Sequence, residues 1–179
     1  MKFTESVLAG AFLIELEPER DERGFFAKSW SRGEFAEHGL DADLSVSAVS
    51  FNRRRGTLRG LHYQVAPFEE TKVVRCTAGA IYDVIVDLRP GSTTRRQWAA
   101  FGLSAANRKL LYVPKGFAHG FQTLVDATEV FYQITATYSP QHARTIRWDD
   151  AGLGITWPAT PARIMSAADR HVPSEGGQP

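Results

Sequence analysis

Short stretches of strand character, separated by turn residues, recur along almost the whole chain, and this spacing is the strongest constraint on its fold. Gly, Pro, Asn and Ser fall between these stretches, where turns are expected. About ten short strands at near-regular spacing are typical of an all-β sandwich or a jelly-roll barrel. The strands are predicted at residues 8–16, 25–30, 44–51, 71–76, 80–88, 97–103, 109–113 and 129–137, with a further hairpin over residues 56–72.

Helical character is limited to two short segments. Residues 31–39 carry scattered charge around an apolar residue and end in a glycine, which predicts a short helix. Residues 162–169 fit a second one. The length of 179 residues predicts a single domain over residues 1–179. Within it, we expect residues 170–179 to form a loosely ordered tail.

Composition and charge argue against several classes of partner. A net charge of +1 gives no basis for binding nucleic acid or an anionic membrane. No stretch approaches the roughly 18 apolar residues that a membrane span requires, and the N-terminus lacks the apolar core of a signal peptide. The single cysteine, Cys76, lies in an apolar run, which predicts a buried thiol in a reducing compartment. The sequence therefore predicts a cytoplasmic protein.

The densest group of reactive side chains lies in the run GTLRGLHYQ at residues 56–64 and at Lys72. Arg59, His62 and Lys72 read as members of one hairpin. They supply a bidentate ligand for a diphosphate, a base, and a cation that can hold developing negative charge. A single histidine or lysine on a strand is more often structural, so the functional interpretation rests on the cluster.

The chain carries the frame of a metal-binding jelly roll without its ligands. Five residues separate a glycine from His62, and a later Pro-x-Gly-x-x-His segment ends at His119. Metal-binding barrels of this type have a second histidine where this chain has Gln64, and Lys72 would repel a cation. Two imidazoles and one uncertain carboxylate are too few ligands for a typical site. The frame therefore predicts a cupin-type barrel, and the substitutions predict no metal.

The same groups suit the removal of a proton beside a ketone. Such a proton can be abstracted when a base is at hand and the enolate oxygen is stabilised. His62 can serve as the base and Lys72 can hold the enolate charge. Tyr132 can act as the acid on the opposite face, which completes an inversion. A carboxylate behind the histidine would fix its tautomer, and both Asp83 and Asp169 are candidates.

Six runs of the chain resemble the dTDP-4-dehydrorhamnose 3,5-epimerase family in order and spacing. The resemblance implies an all-β, cupin-type jelly-roll barrel with a few short helices and no cofactor. It also implies a homodimer that exchanges N-terminal strands. The runs are DERGFF at 21–26, GTLRGLHYQ at 56–64, KVVR at 72–75, DVIVDLR at 83–89, PKGFAHGF at 114–121, and WDD at 148–150 with ITWP at 155–158.

The resemblance further implies a cofactor-independent epimerase of a nucleotide-diphosphate 4-keto-6-deoxyhexose. In this interpretation His62 is the base, Asp169 orients it, and Tyr132 is the acid. Lys72 lies near the keto oxygen of the sugar. The implied substrate contacts are Arg59 and His119 at the diphosphate and sugar, Arg23 of the partner subunit at the diphosphate, Tyr138 stacked near the sugar or nucleobase, and in addition Phe26, Lys28 and Ser47.

Three departures from the family pattern concern the grip on the nucleotide. Family members commonly have Glu at the position of Lys28, Gln and Asn on the strand around Ser47, and Lys at the position of Ala168. We therefore expect epimerisation to be retained with an altered nucleotide or sugar preference. The alternatives are a 3-only or 5-only epimerase acting on a dTDP-, CDP- or GDP-sugar, a metal-dependent cupin with His62 and His119 as ligands, and a non-catalytic protein that binds sugar nucleotides.

Overall fold

The computed structural model describes residues 1–172, which fold into short β-strands with two short helices. This confirms the predicted all-β fold. Neither helix in this part of the chain is long or apolar enough to cross a membrane. The elements are β1 (Lys2–Glu5), β2 (Phe12–Glu15), β3 (Glu19–Asp21), β4 (Gly24–Phe26), α1 (Arg32–Glu37), β5 (Val46–Asn52), β6 (Leu58–Gln64), β7 (Lys72–Ala78), β8 (Ala80–Asp87), β9 (Trp98–Ser104), β10 (Leu110–Val113), β11 (Phe117–Thr123), β12 (Thr128–Ile134), β13 (Ala143–Thr145) and α2 (Ala167–Arg170).

Two antiparallel sheets form the body of the barrel. The first has six strands in the order β1-β2-β10-β7-β12-β5, and the second has five in the order β13-β6-β11-β8-β9. From β5 to β7 and from β9 to β13 the chain changes sheet at every connection. The main core lies between the sheets, where Val74 and Val130 of the first pack with Ile85 and Phe121 of the second. The β3–β4 hairpin forms a separate two-stranded sheet.

A second core covers the outer face of the first sheet. The Ser31 side chain caps α1 by accepting a hydrogen bond from the backbone N–H of Glu34. This arrangement confirms the helix predicted over residues 31–39. Phe35 of α1 is fully buried in a cluster with Ile14 and Tyr112. Phe35 thereby covers part of the outer face of the first sheet.

The elements near the C-terminus differ from the prediction. The helix expected over residues 162–169 is only α2, because Ile164 bridges Thr57 and the chain is extended there. Arg170, where the loosely ordered tail was expected to begin, is instead the last residue of α2. The rest of that tail, residues 173–179, lies outside the described residues.

Two strands that line the cavity were missed by the sequence prediction. Every residue of β11 is buried, so the strand lacks the alternation of apolar and polar residues that marks a half-exposed strand. The other missed strand, β13, is only three residues long. The predicted strand at residues 8–16 is in fact shorter, because Gly10 adopts a positive φ of 85° and turns the chain before β2.

The prediction of one hairpin carrying Arg59, His62 and Lys72 is wrong. Arg59 and His62 lie on β6 in the second sheet, whereas Lys72 begins β7 in the first. Residues 65–71 carry the chain across the barrel from one sheet to the other. The three side chains still line one cavity between the sheets, and the Lys72 ammonium lies 3.4 Å from the carbonyl oxygen of His62.

Gly60 allows β6 and β11 to approach closely beside the two histidines. Its φ is 122°, and a Cβ atom there would lie 2.6 Å from Cα of Gly120 and 2.8 Å from the carbonyl oxygen of His119. No other residue type fits such an approach without moving the backbone. In the register of these two strands, His62 lies directly opposite His119.

Candidate functional site

A cavity of about 560 Å³ opens between the two sheets, a size typical of small-molecule sites. Strands β5, β7 and β12 form one wall, and β6 and β11 form the other, with β13 and α2 at the rim. Seven of the predicted site residues line it: Arg59, His62, Lys72, His119, Tyr132, Tyr138 and Asp169.

His62 and Asp169 form a hydrogen-bonded pair at the rim of the cavity. Nε2 of His62 lies 2.6 Å from Oδ1 of Asp169, and the Ser166 hydroxyl oxygen accepts a bond from the Asp169 backbone N–H at 3.0 Å. Burial opposes ionisation of Asp169, but its hydrogen bonds to His62 and Ser166 outweigh burial and lower its pKa. Because a carboxylate only accepts, Nε2 carries the hydrogen and Nδ1 keeps a lone pair that can take a proton.

His119 has its own carboxylate partner. Its Nε2 lies 2.9 and 3.0 Å from the two oxygens of Asp83, and both residues are buried. Burial raises the pKa of Asp83, although His119 and Lys72 act in the opposite direction. Of the two carboxylates that the sequence offered to His62, the geometry thus gives Asp169 to His62 and Asp83 to His119.

Tyr132 lies on the wall opposite His62, with its ring edge-on to His119 at a centroid distance of 6.0 Å. Burial, together with the nearby Asp83, raises the pKa of Tyr132 well above its ordinary value. The phenol therefore keeps its proton at neutral pH and is available as a donor. Since β6 and β12 belong to opposite sheets, a ligand between them presents one face to His62 and the other to Tyr132.

Two cationic side chains complete the polar part of the cavity. Lys72 is 8% exposed and forms an ion pair with Glu70, with Nζ 2.9 Å from Oε1. Arg59 donates from Nε to the Asn52 side-chain oxygen at 2.9 Å. That bond fixes the plane of the guanidinium. The two terminal nitrogens donate no hydrogen bond to any of residues 1–172. Such a pre-oriented guanidinium suits a phosphate or another bidentate anion.

Three of the predicted substrate contacts lie away from the cavity of their own chain. Arg23 and Phe26 belong to the β3–β4 hairpin region and are strongly exposed. Arg23 pairs with Asp21, and Lys28 pairs with Glu34. Within residues 1–172, none of the three lines the cavity that holds the other predicted site residues.

Ser47 also faces away from the cavity. Side chains alternate between the two faces of a strand, and in β5 the exposed set is Ser47, Val49 and Phe51. The cavity is instead lined by the intervening residues Val46, Ala48 and Ser50. Strand β5 therefore offers one hydroxyl, that of Ser50, to a ligand and is otherwise apolar along the cavity.

Three residues that contact the site residues were not predicted from the sequence. Asn52 accepts a hydrogen bond from Arg59, Glu70 forms an ion pair with Lys72, and Gln64 donates to Glu70. In the sequence, Gln64 stands out only as the residue that replaces a metal-binding histidine. Among residues 1–172, no three His, Cys, Asp or Glu side chains converge as a metal site would require.

Comparisons with known proteins give one consistent result. The sequence model of the dTDP-4-dehydrorhamnose 3,5-epimerase family matches residues 5–175. An enzyme of that name from Sinorhizobium fredii is 41% identical over 97% of this chain and 89% of its own length. The Bacillus anthracis enzyme, solved with TDP and PPi bound, is 43% identical, with a TM-score of 0.92 over 97% of this chain and 98% of its own. The Legionella pneumophila enzyme, solved with dTDP-4-keto-L-rhamnose, is 34% identical, with a TM-score of 0.90 over 96% and 90% of the two chains.

Proposed function

Because this chain belongs to the dTDP-4-dehydrorhamnose 3,5-epimerase family, we propose that it inverts both carbons flanking the ketone of dTDP-4-dehydro-6-deoxyglucose. The protein is an isomerase of the carbohydrate epimerase class. The observation that carries the proposal is the pair of proton-transfer groups on opposite walls of one cavity, His62 held by Asp169 and Tyr132 facing them.

Proton abstraction is the first chemical step of the proposed mechanism. Nδ1 of His62 takes the proton from the carbon beside the ketone, and the electron pair moves into an enolate. Asp169 stabilises the imidazolium that results, because its carboxylate is already 2.6 Å from Nε2. Lys72 is assigned to the oxygen on which the negative charge develops, and its N–H groups lower the energy of the enolate.

Reprotonation from the opposite face completes each inversion. Tyr132 donates its phenolic proton to the same carbon, and the enolate electrons return to form the C–H bond and the ketone. Burial and the proximity of Asp83 raise the pKa of Tyr132, so the phenol is in its protonated form at the start of the step. Before the second carbon reacts, His62 releases the proton that it gained to solvent, and the Tyr132 phenolate takes up a proton from solvent.

The diphosphate of the substrate is assigned to Arg59, and Tyr138 is assigned to the sugar or nucleobase by stacking. Tyr138 is 73% exposed at the mouth of the cavity, which leaves its ring face available. The apolar side chains of Val46 and Ala48 supply no hydrogen bonds to a base edge.

Proton NMR in heavy water with dTDP-4-dehydro-6-deoxyglucose tests the function. We expect deuterium to enter at both C3 and C5, because one base and one acid act on both carbons. Entry at a single carbon would replace the double epimerase by a single one. If no deuterium enters the dTDP-sugar but deuterium enters the CDP- or GDP-sugar, the nucleotide assignment is wrong. No exchange with any of the three would leave only the binding function.

The active unit is proposed to be a homodimer in which N-terminal strands are exchanged and the partner completes each site. The exposed positions of Arg23, Phe26 and Lys28, away from their own cavity, support this arrangement. Among residues 1–172, β1 is also an edge strand that pairs on one side only, with β2.

Subunit complementation tests the shared site. Arg23→Ala should raise KM by removing a phosphate contact, and His62→Asn should remove the base. In a mixed dimer, one of the two sites receives both an intact His62 and an intact Arg23. Co-expressed subunits should therefore exceed the mean of the two parent activities at low substrate concentration. Activity equal to that mean would place Arg23 outside the partner's site.

We propose a cytoplasmic location because the single cysteine is a free thiol. Cys76 is a free, buried thiol on β7. Burial raises its pKa to about 11, so the thiol is neither ionised nor reactive at neutral pH. A structural thiol of this kind fits a reducing compartment.

A further inference from the structure

We propose that Glu70 is a positioning residue for Lys72, held in place by Gln64, an inference that rests on the function proposed above. Each oxygen of the Glu70 carboxylate has its own donor. Oε1 lies 2.9 Å from Nζ of Lys72, and Oε2 lies 3.0 Å from Nε2 of Gln64. The side chains of Glu70 and Lys72 are only 12% and 10% exposed, so water competes weakly for the pair.

Gln64 fixes the orientation of this carboxylate. Its Nε2 also faces the carbonyl oxygens of Phe68 and Thr137 at 3.0 and 3.2 Å, while its Oε1 accepts from the backbone N–H of Ser139 at 2.6 Å. Since every neighbour of the nitrogen is an acceptor and the neighbour of the oxygen is a donor, the amide has one satisfactory orientation. Gln64 thus connects the Glu70 loop to the backbone on both sides of Tyr138.

Lys72 needs such a partner more than most lysines do. Its ammonium sits on a flexible four-carbon stem and is almost fully removed from water. A buried cation is costly unless it is paired and hydrogen-bonded. Its other neighbour within hydrogen-bond range is the carbonyl oxygen of His62, at 3.4 Å. Glu70 therefore fixes the position of the Lys72 ammonium at the moment when the enolate oxygen becomes negative.

The position of that charge matters for the rate more than for binding. Lys72 acts on an oxygen that becomes negative only as the proton leaves, so its contribution grows in the transition state. A displacement of about 1 Å in a catalytic group can cost on the order of 100-fold in rate. We therefore expect Glu70 to influence the proton-abstraction step while the diphosphate contacts, which dominate binding, stay unchanged.

Glu70→Gln tests the proposal with a nearly isosteric change. Lys72 and Gln64 face different oxygens of the carboxylate. In the amide one of these oxygens becomes an NH₂ group, so one of the two donors faces another donor. We expect kcat and the rate of deuterium entry to fall roughly 10- to 100-fold, with KM changed by less than about threefold. Glu70→Asp keeps both oxygens on a shorter arm and should recover part of the rate.

The neighbouring Glu69 provides the matched control. Glu69→Gln makes the same chemical change and the same change in net charge at an exposed position, and it should leave both kcat and KM as they are. Because Glu70 is proposed to act through Lys72, the double variant Glu70→Gln with Lys72→Met should be no slower than Lys72→Met alone.

Two results would overturn the inference. One is a Glu70→Gln enzyme as fast as the Glu69→Gln control. The other is a loss in the double variant equal to the product of the two single losses, which would mean that Glu70 acts independently of Lys72. If the wild-type protein itself gives no deuterium exchange, the proposed function fails first, and the two failures are thereby distinguished.

Discussion

His62→Asn is expected to stop deuterium incorporation at both carbons flanking the ketone. Asparagine can keep a hydrogen bond to Asp169, whose carboxylate lies 2.6 Å from the His62 ring, but it has no group that takes a proton at neutral pH. General base catalysis contributes about 10²- to 10⁴-fold to a rate, so exchange at both carbons should fall by about that factor. Proton NMR in heavy water measures the two carbons separately.

The control for this variant is His38→Asn. His38 is an exposed histidine at the end of α1 that donates to or accepts from no side chain of the cavity, and its Nδ1 contacts the backbone oxygen of Glu34. That variant should retain full exchange. Exchange that survives at one carbon in His62→Asn would require a second base, and unchanged turnover would remove His62 from the mechanism altogether.

The sequence was a good guide to which residues are chemically useful and a poor guide to how the chain joins them. His62, Lys72 and His119 stood out because each falls in a short motif of specific spacing. The sheet membership of His62 and Lys72 was mispredicted, since nothing in residues 65–71 distinguishes a hairpin turn from a crossing between sheets. That distinction depends on long-range pairing of β7 with β10 and β12, which no local pattern contains.

The carboxylate partners illustrate a similar limit. Asp83 follows an ordinary strand pattern, and Asp169 lies more than one hundred positions along the chain from His62. From residue types alone, either Asp83 or Asp169 could accept a hydrogen bond from the ring of His62. The choice depends on the packing of α2 against β6 and on the pairing of β8 with β11, which brings Asp83 to His119. Both are tertiary contacts.

Ser47 shows how a shift of one residue changes the conclusion on a strand. Alternation predicts that residues of one parity on β5 face the cavity, but it does not predict which parity. Pairing with β12 sets Ala48 beside Tyr132 and Val46 beside Ile134. This register turns Ser47 outward and gives the cavity an apolar wall at those two positions.

Tyr132→Phe is expected to separate proton exchange from inversion. His62 still removes the proton, and solvent deuterium that reaches the imidazole returns to the same face of the carbon. Deuterium should therefore enter the substrate at a partly retained rate, while the yield of inverted product falls by about 10²-fold or more. The ratio of exchange to inversion, followed in one NMR experiment, should rise sharply above that of the wild-type enzyme.

Tyr82→Phe is the matched control, because burial also raises the pKa of Tyr82 although this residue packs against Trp157 outside the cavity. Its ratio of exchange to inversion should equal that of the wild type. If Tyr132→Phe and His62→Asn lose exchange to the same extent, the base and acid roles are not separate. Tyr132 would then be needed for the abstraction step itself, where it would stabilise the enolate oxygen together with Lys72.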